Sequence, residues 1–279
     1  DLYSEVLTLA TAIVRADSIN GTGEIILKRK DGTIVRTIQA IASKLLPFMT
    51  RKLVKQPVMT SVYGVTRSGA RVQLAGQLAD AGYAKEEITF AASYLAVVVE
   101  RALAGACQGA TTLMDWIRRC ARTIALAGHE VAWTSPMGLP VVQDARRWRT
   151  VRIETILGTL TITTDDESVP IDVRKQVNSS APDIVHCIDA SHMFAVVRAS
   201  GQKGIDVVPV HDCFASHLVH GDEIGSIYRR TFVELHSEPI IDNLIAEWRT
   251  RHPDLDLPDP PARGDFDVRD VLHAPYCIS

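Results

Sequence analysis

Cysteine is scarce and unpatterned in this 279-residue chain: the five residues Cys107, Cys120, Cys187, Cys213 and Cys277 are odd in number and nowhere spaced as CxxC. A disulfide framework or a closed zinc site is therefore not expected, and a reducing compartment is. Aromatic residues are few, at 6%. No apolar run approaches the roughly 20 residues of a membrane span, so no membrane partner is expected. Charge of one sign is also missing: 30 Lys+Arg stand against 33 Asp+Glu, for a formal net charge of −3. That balance excludes a chain that holds nucleic acid by bulk charge alone, but it leaves room for a local basic cleft. No signal-peptide pattern opens the chain, because Asp1-Leu2-Tyr3-Ser4-Glu5 leads straight into an amphipathic segment. The initiating Met is absent too, and removal of something upstream is expected. What is present, 46% hydrophobic and 23% charged residues, is average for a folded globular protein and excludes disordered and fibrous classes.

The length predicts about two domains. Leu2, Val6, Leu9, Ile13 and Val14 recur at helical spacing and predict a first helix that ends before Asn20-Gly21-Thr22-Gly23. Gly23 to Val35 alternates weakly around Asp31-Gly32, a hairpin signal. Ile38 to Tyr63 reads as helix interrupted by Pro47 and Pro57, and the Ala/Leu-rich span 71–127 as two or three long helices. Past Gly128 the pattern turns to short strands at Val131–Trp133, Leu139–Val142 and Arg152–Thr164. Asp165-Asp166-Glu167 reads as a solvated turn, residues 184–199 as a helix, Gly204–Phe214 as one strand, and Ile224, Tyr228, Phe232 and Leu235 as the apolar face of another helix. Pro253–Pro261 is a proline-rich acidic loop.

Three segments carry chemistry. Arg51, Lys55, Met59 and Tyr63 are spaced by four; at about 100° per residue each step drifts by ~40°, so the four side chains fall within a stripe of ~120° on one helix. Two cations one turn apart suit a triphosphate, Arg giving bidentate contacts and Lys a point charge, with an aromatic beyond them able to stack on a base. Taken alone, an ordinary basic surface helix explains the pattern more readily, and Pro57 is expected to kink or break the helix. The apolar run ending in His211-Asp212-Cys213-Phe214 places a carboxylate where a sheet can hold a divalent metal, although a solvated turn fits as well. His211, His217 and His220 match no common zinc spacing, and Cys213 beside His217 is a poor case for a thiol nucleophile. In the third segment Asp189 and His192 fit satisfied core polar groups when read in isolation. Arg146, Arg147 and Arg149 form a basic cluster that fits phosphate contacts or a solvated loop equally.

In this order, Arg51-x3-Lys55-x3-Met59-x3-Tyr63-Gly64, Asp189-Ala190-Ser191-His192 and His211-Asp212-Cys213-Phe214 resemble the fingers and palm motifs of the single-subunit, phage- and mitochondrial-type DNA-directed RNA polymerases. Flanking likenesses at Ala16-Asp17-Ser18-Ile19-Asn20-Gly21, Ser135-Pro136-Met137-Gly138-Leu139-Pro140-Val141 and Gly264-Asp265-Phe266-Asp267-Val268-Arg269-Asp270-Val271-Leu272 extend the resemblance over nearly the whole chain. It implies an α+β, right-hand polymerase fold, with fingers at 1–192 and the C-terminal part of the palm at 193–279. It also implies DNA-templated RNA synthesis by two-metal nucleotidyl transfer. Arg51, Lys55, Tyr63 and His192 would bind substrate, with Arg51 and Lys55 on the triphosphate, Tyr63 selecting ribose and His192 at the sugar or minor groove. Asp212, Lys55 and Tyr63 would be catalytic, and Asp212 would ligate two Mg²⁺ ions.

The implied partners are template DNA, nascent RNA and ribonucleoside triphosphates. The implied location is an infected host's cytoplasm, if the chain is phage-encoded, or the mitochondrial matrix. Family-A DNA polymerases share the first motif but usually carry Phe at the position of Met59 and lack the Asp-x-Ser-His segment. Cys213 stands where the family usually has Ser. No segment resembles the family's first metal-binding aspartate, so one carboxylate ligand is expected from an upstream polymerase part, covalent or a separate chain, and the 279 residues alone are expected not to polymerise. The competing readings are a non-catalytic nucleic-acid-binding remnant and a family-A-like DNA polymerase fragment.

Overall fold

The computed structural model describes residues 1–29, 32–61, 63–147, 149–164, 169–210 and 213–274. They form a mixed α+β chain of two compact units, Asp1–Thr112 and Leu113–Ser279. The expected boundary at 192/193 falls inside a continuous helix.

In the first unit, α1 (Leu2–Asn20) starts on an Asp1 cap that accepts from the Tyr3 N–H. It buries Val6, Ala10 and Val14, a stripe with one residue per turn. It ends at Asn20, one residue beyond the stop expected before Asn20, with Gly21 as its C-cap. The strands β1 (Glu24–Arg29) and β2 (Gly32–Thr37) pair antiparallel with Arg29 opposite Gly32, as the hairpin signal predicts; Asp31 itself lies outside the described residues. Helices α2 (Ile38–Leu45), α3 (Arg51–Ser61), α4 (Arg67–Asp80) and α5 (Ile88–Ala106) follow. Thr37 and Thr66 cap α2 and α4, their side-chain oxygens accepting from Ala40 and Gly69.

The core centres on α5, which packs against α1, α2, α3, α4 and β1. Its Phe90, Leu95, Val98 and Val99 are buried, and fully buried Ala91 and Ala92 let neighbouring helices approach closely. Among the described residues α5 is the one helix long and apolar enough to cross a bilayer, which the sequence reading did not register. Thr89, Ser93, Glu100 and Arg101 interrupt the run in sequence, and half of its apolar window is buried in this unit.

The second unit takes α6 (Gln108–Leu126) from Leu113 onward. It continues with the hairpins β3 (Val131–Thr134)/β4 (Pro140–Gln143) and β5 (Arg149–Thr155)/β6 (Gly158–Thr164). Then come α7 (Val173–Gln202), β7 (Val207–Val210), β8 (Cys213–Ser216), α8 (Gly221–Ser237) and α9 (Ile240–Arg251). The acidic run 165–167 lies outside the described residues. One core gathers Trp116, Ile117, Cys120 and Ile124 of α6, Val131 and Trp133 of β3, Ala181 and Ile184 of α7, and Leu244, Ile245 and Trp248 of α9. A second, smaller core joins Val196, Ile205, Ile224 and Ile227, with Val207, Phe214 and Tyr228 packed on it.

Two expectations need correction here. The single strand expected over Gly204–Phe214 is two strands, β7 and β8, paired antiparallel with Val210 opposite Cys213; no Gly or Asn signals the reversal. The helix expected at 184–199 begins eleven residues earlier, on an Asp172 cap, and contains Pro182.

Candidate functional site

Helix α3 starts where Thr50 Oγ1 accepts from the Leu53 N–H at 3.4 Å. Leu53, Val54, Pro57 and Val58 form its buried face. The opposite face carries Arg51, Lys52, Lys55 and Met59, all exposed. Pro57 does not end the helix as expected. It has no N–H for the Leu53 carbonyl, but its ring is buried in the core, and the helix continues to Ser61. Arg51 Nε lies 2.8 Å from Asp1 Oδ2, and its guanidinium sits 5.0 Å from the centre of the Tyr3 ring. Lys55, one turn on, has no ion-pair partner among the described residues, so its charge is available to an incoming anion.

Tyr63 lies just past α3 and not on it, which refines the four-residue stripe. Its N–H donates to the Thr60 carbonyl at 3.1 Å. Gly64 takes φ +74° and donates to the Ser61 carbonyl, and Val65 donates to Thr60, both at 3.1 Å. This 6→1 and 5→2 pair is a Schellman motif, whose left-handed position favours glycine. Gly64 therefore turns the chain so that Tyr63, 49% exposed, stands at the end of the basic face. The flanking segment around Asp17 has a structural role: Asp17 Oδ2 accepts from the Tyr94 hydroxyl at 2.6 Å and ties α1 to α5.

The second grouping lies in the other unit. His192 of α7 is buried, with Nε2 3.1 Å from both the Tyr228 carbonyl and Thr231 Oγ1. A carbonyl only accepts, so the neutral Nε2–H tautomer fits and Nδ1 is left as an acceptor. The rings of Tyr228 and Phe232 meet His192 edge-on at 4.5 and 5.4 Å between centroids. Together with Asp189, His236, Arg263 and Asp267 they line a cavity of about 830 Å³. The segment Gly264–Val268, part of the last flanking motif, closes one wall of that cavity. His236 was missed at the sequence level, although its signal was present: Tyr228, Phe232 and His236 recur every four residues on α8.

Burial lowers the pKa of His192, and burial plus the neighbouring His192 lowers that of His236. The unfolded chain then binds these protons at a higher pH than the folded one, so stability rises with pH through that window. Full stability is expected above about pH 6.5, with loss as pH falls through the lowered folded values. Urea midpoints measured from pH 7.5 down to 5 should fall, and His236→Phe should flatten the slope. An unchanged slope in that variant would remove His236 from the account.

Asp212 and His211 lie outside the described residues, as does the ligand role expected of Asp212. Among the described residues no three His, Cys, Asp or Glu gather as a group that could hold a metal ion. Burial pushes the Cys120 thiol up to about 12, which marks it as core and not nucleophile. Arg146, one of the three arginines of the basic cluster, pairs with Glu130 and donates to the Val169 carbonyl at 3.2 Å. Trp133 belongs to the core.

Residues 1–257 match the family described as DNA-dependent RNA polymerase. The chain is 37% identical over 278 residues to the mitochondrial DNA-directed RNA polymerase 1B of Nicotiana tabacum, covering 99% of this chain and 26% of that protein. It is 39% identical over the same length to the chloroplastic DNA-directed RNA polymerase 3B of that plant, 27% of which it covers. To the DNA-directed RNA polymerase 2A of Nicotiana tabacum it is 41% identical over 228 residues, 81% of this chain and 68% of that protein. The chain thus spans about a quarter of the length of the organellar relatives that it matches end to end. With its three motifs in order and most of its length matched, the chain belongs to the DNA-dependent RNA polymerase family.

Proposed function

We propose that residues 1–192 act as fingers and 193–279 as the later palm of a right-hand, single-subunit polymerase that carries out DNA-templated RNA synthesis. The observation that supports this best is the exposed basic face of α3, with Arg51 and Lys55 one turn apart and Tyr63 presented at its end by the Gly64 turn. A triphosphate arriving on this face meets Lys55, which has no ion-pair partner among the described residues, and competes with Asp1 for Arg51. An exposed ion pair of that kind is worth about 0–1 kcal/mol, whereas a bidentate Arg–phosphate contact is stronger. Arg51 and Lys55 then neutralise the charge that develops on the departing pyrophosphate. In this reading Tyr63 selects the sugar of the nucleotide, and His192 contacts the growing end.

Asp212 would hold Mg²⁺ together with a carboxylate from outside this sequence. When bound, the ions lower the pKa of the attacking 3′-hydroxyl and stabilise charge at the α-phosphate. The names of the relatives place those proteins in mitochondria and chloroplasts, and we assign this chain an organellar site of action on that basis.

The test is extension of an RNA primer on a DNA template with Mg²⁺, by the longer polymerase containing these residues and by the 279 residues alone. Ribonucleotide-selective extension by the longer protein only is the expected result. Template–primer binding without extension in both would overturn the catalytic reading and favour a binding module.

A further inference from the structure

Helices α3 and α4 are joined by two polar rungs. Gln77 Nε2 donates to Gln56 Oε1 at 3.3 Å, and the Thr60 hydroxyl lies 3.0 Å from Gln73 Oε1. Residues 56 and 60 are one turn apart on α3 and 73 and 77 one turn apart on α4, so each rung crosses an antiparallel helix pair. All four side chains are half-buried, while Leu53, Val54, Pro57 and Val58 on α3 and Leu74 and Leu78 on α4 are buried. Apolar contacts of this kind tolerate small slides; a polar pair beside them specifies register.

The two rungs straddle Pro57, the position at which α3 lacks a backbone hydrogen bond. Thr60 is also the anchor of the turn that follows. Its carbonyl accepts from both Tyr63 and Val65, each at 3.1 Å. Any displacement of Thr60 therefore reaches Tyr63 through a direct backbone bond.

We propose that Gln73, acting through Thr60, is a positioning residue that sets the Tyr63 ring for discrimination between ribo- and deoxyribonucleotides. This rests on the assignment of Tyr63 to the nucleotide pocket. Gln73 touches no substrate in this scheme; it holds the end of α3 against α4. Loss of the rung leaves the Thr60 hydroxyl its second partner, the Gln56 carbonyl at 2.9 Å, so no buried donor is orphaned and the fold survives.

The experiment compares Gln73→Leu, Gln77→Leu and Gln73→Glu in the longer polymerase, with single-nucleotide incorporation as the readout. Gln73→Leu is expected to lower ribonucleotide selectivity about tenfold, through the ribonucleotide KM more than through kcat. Gln77→Leu, the rung further from Tyr63, should change selectivity less than about twofold, and Gln73→Glu, which keeps an acceptor oxygen, should restore most of it. A 3-fluorotyrosine at position 63 gives a readout independent of turnover: its ¹⁹F resonance should move in Gln73→Leu and hold in Gln77→Leu. Unchanged selectivity with an unmoved resonance overturns the strut. A moved resonance with selectivity unchanged in both Gln73→Leu and Tyr63→Phe overturns the role in discrimination at its other root, the assignment of Tyr63.

Discussion

Removal of both α3 cations, Arg51→Ala with Lys55→Ala, is expected to lower kcat/KM for ribonucleotide addition by roughly 10³-fold. Each charge-assisted contact to a phosphate is worth about 1.5–3 kcal/mol net, and a factor of ten corresponds to about 1.4 kcal/mol. The single variants should differ. Lys55 has no ion-pair partner among the described residues, so its loss costs binding without relief from a freed acid there. Arg51 already pairs with Asp1 and stacks on Tyr3, so Arg51→Ala also frees Asp1, an acid next to the incoming phosphates. Arg51→Ala with Asp1→Asn should therefore bind nucleotide better than Arg51→Ala alone.

Asp212→Asn serves as the contrast, because a metal ligand acts on the chemical step: kcat should fall while the nucleotide KM stays close to its starting value. Single-turnover incorporation across a nucleotide titration separates the two patterns. If the α3 double variant keeps both its nucleotide KM and its kcat, the basic face is a solvated surface and the triphosphate lies elsewhere.

The basic face was legible because its spacing is rigid: four residues per step on a helix leaves little freedom, and the buried set Leu53, Val54 and Val58 confirms the orientation. The departure at Tyr63 was readable too, since a glycine follows it, but periodicity alone extended the helix through it. The start of α7 was hidden for a different reason. Its first turns bury Gln176 and Ser180, so the apolar period vanishes where the helix is most enclosed. Gln176 is accommodated because its Nε2 donates to the Gln143 carbonyl at 2.6 Å, a partner 33 residues away that no local pattern announces. The same holds for the His192 pocket, which needs α7, α8 and the Gly264–Val268 segment together. Long-range partners decide such sites, and spacing within one element carries no information about them.

The largest stability effect is expected at Trp248. Its ring is fully buried at the meeting of α9 with β3 and the Trp116 ring of α6, 6.0 Å away between centroids and tilted by 37°. Each indole also carries a polar tie: Trp248 Nε1 donates to the Ala132 carbonyl and Trp116 Nε1 to the Pro258 carbonyl, both at 2.9 Å. The two tryptophans thus fasten β3 and the proline-rich loop after α9 to one core, and Arg249 adds a bond to the Leu257 carbonyl at 3.1 Å.

Trp248→Ala is expected to cost about 3–5 kcal/mol, from lost burial and the cavity left behind. Against a typical total of about 5–15 kcal/mol, that is a large fraction of the stability. Trp248→Phe keeps most of the apolar contact and forfeits the bond to Ala132, so it should cost less, nearer the roughly 1–3 kcal/mol of an unpaired buried carbonyl. Because the rings touch, the double variant Trp116→Phe with Trp248→Phe should cost less than the sum of its parts. Urea unfolding followed by near-ultraviolet circular dichroism supplies all four numbers. Strict additivity would mean that the two indoles act through their separate carbonyls, and that the ring contact between α6 and α9 contributes nothing to the core.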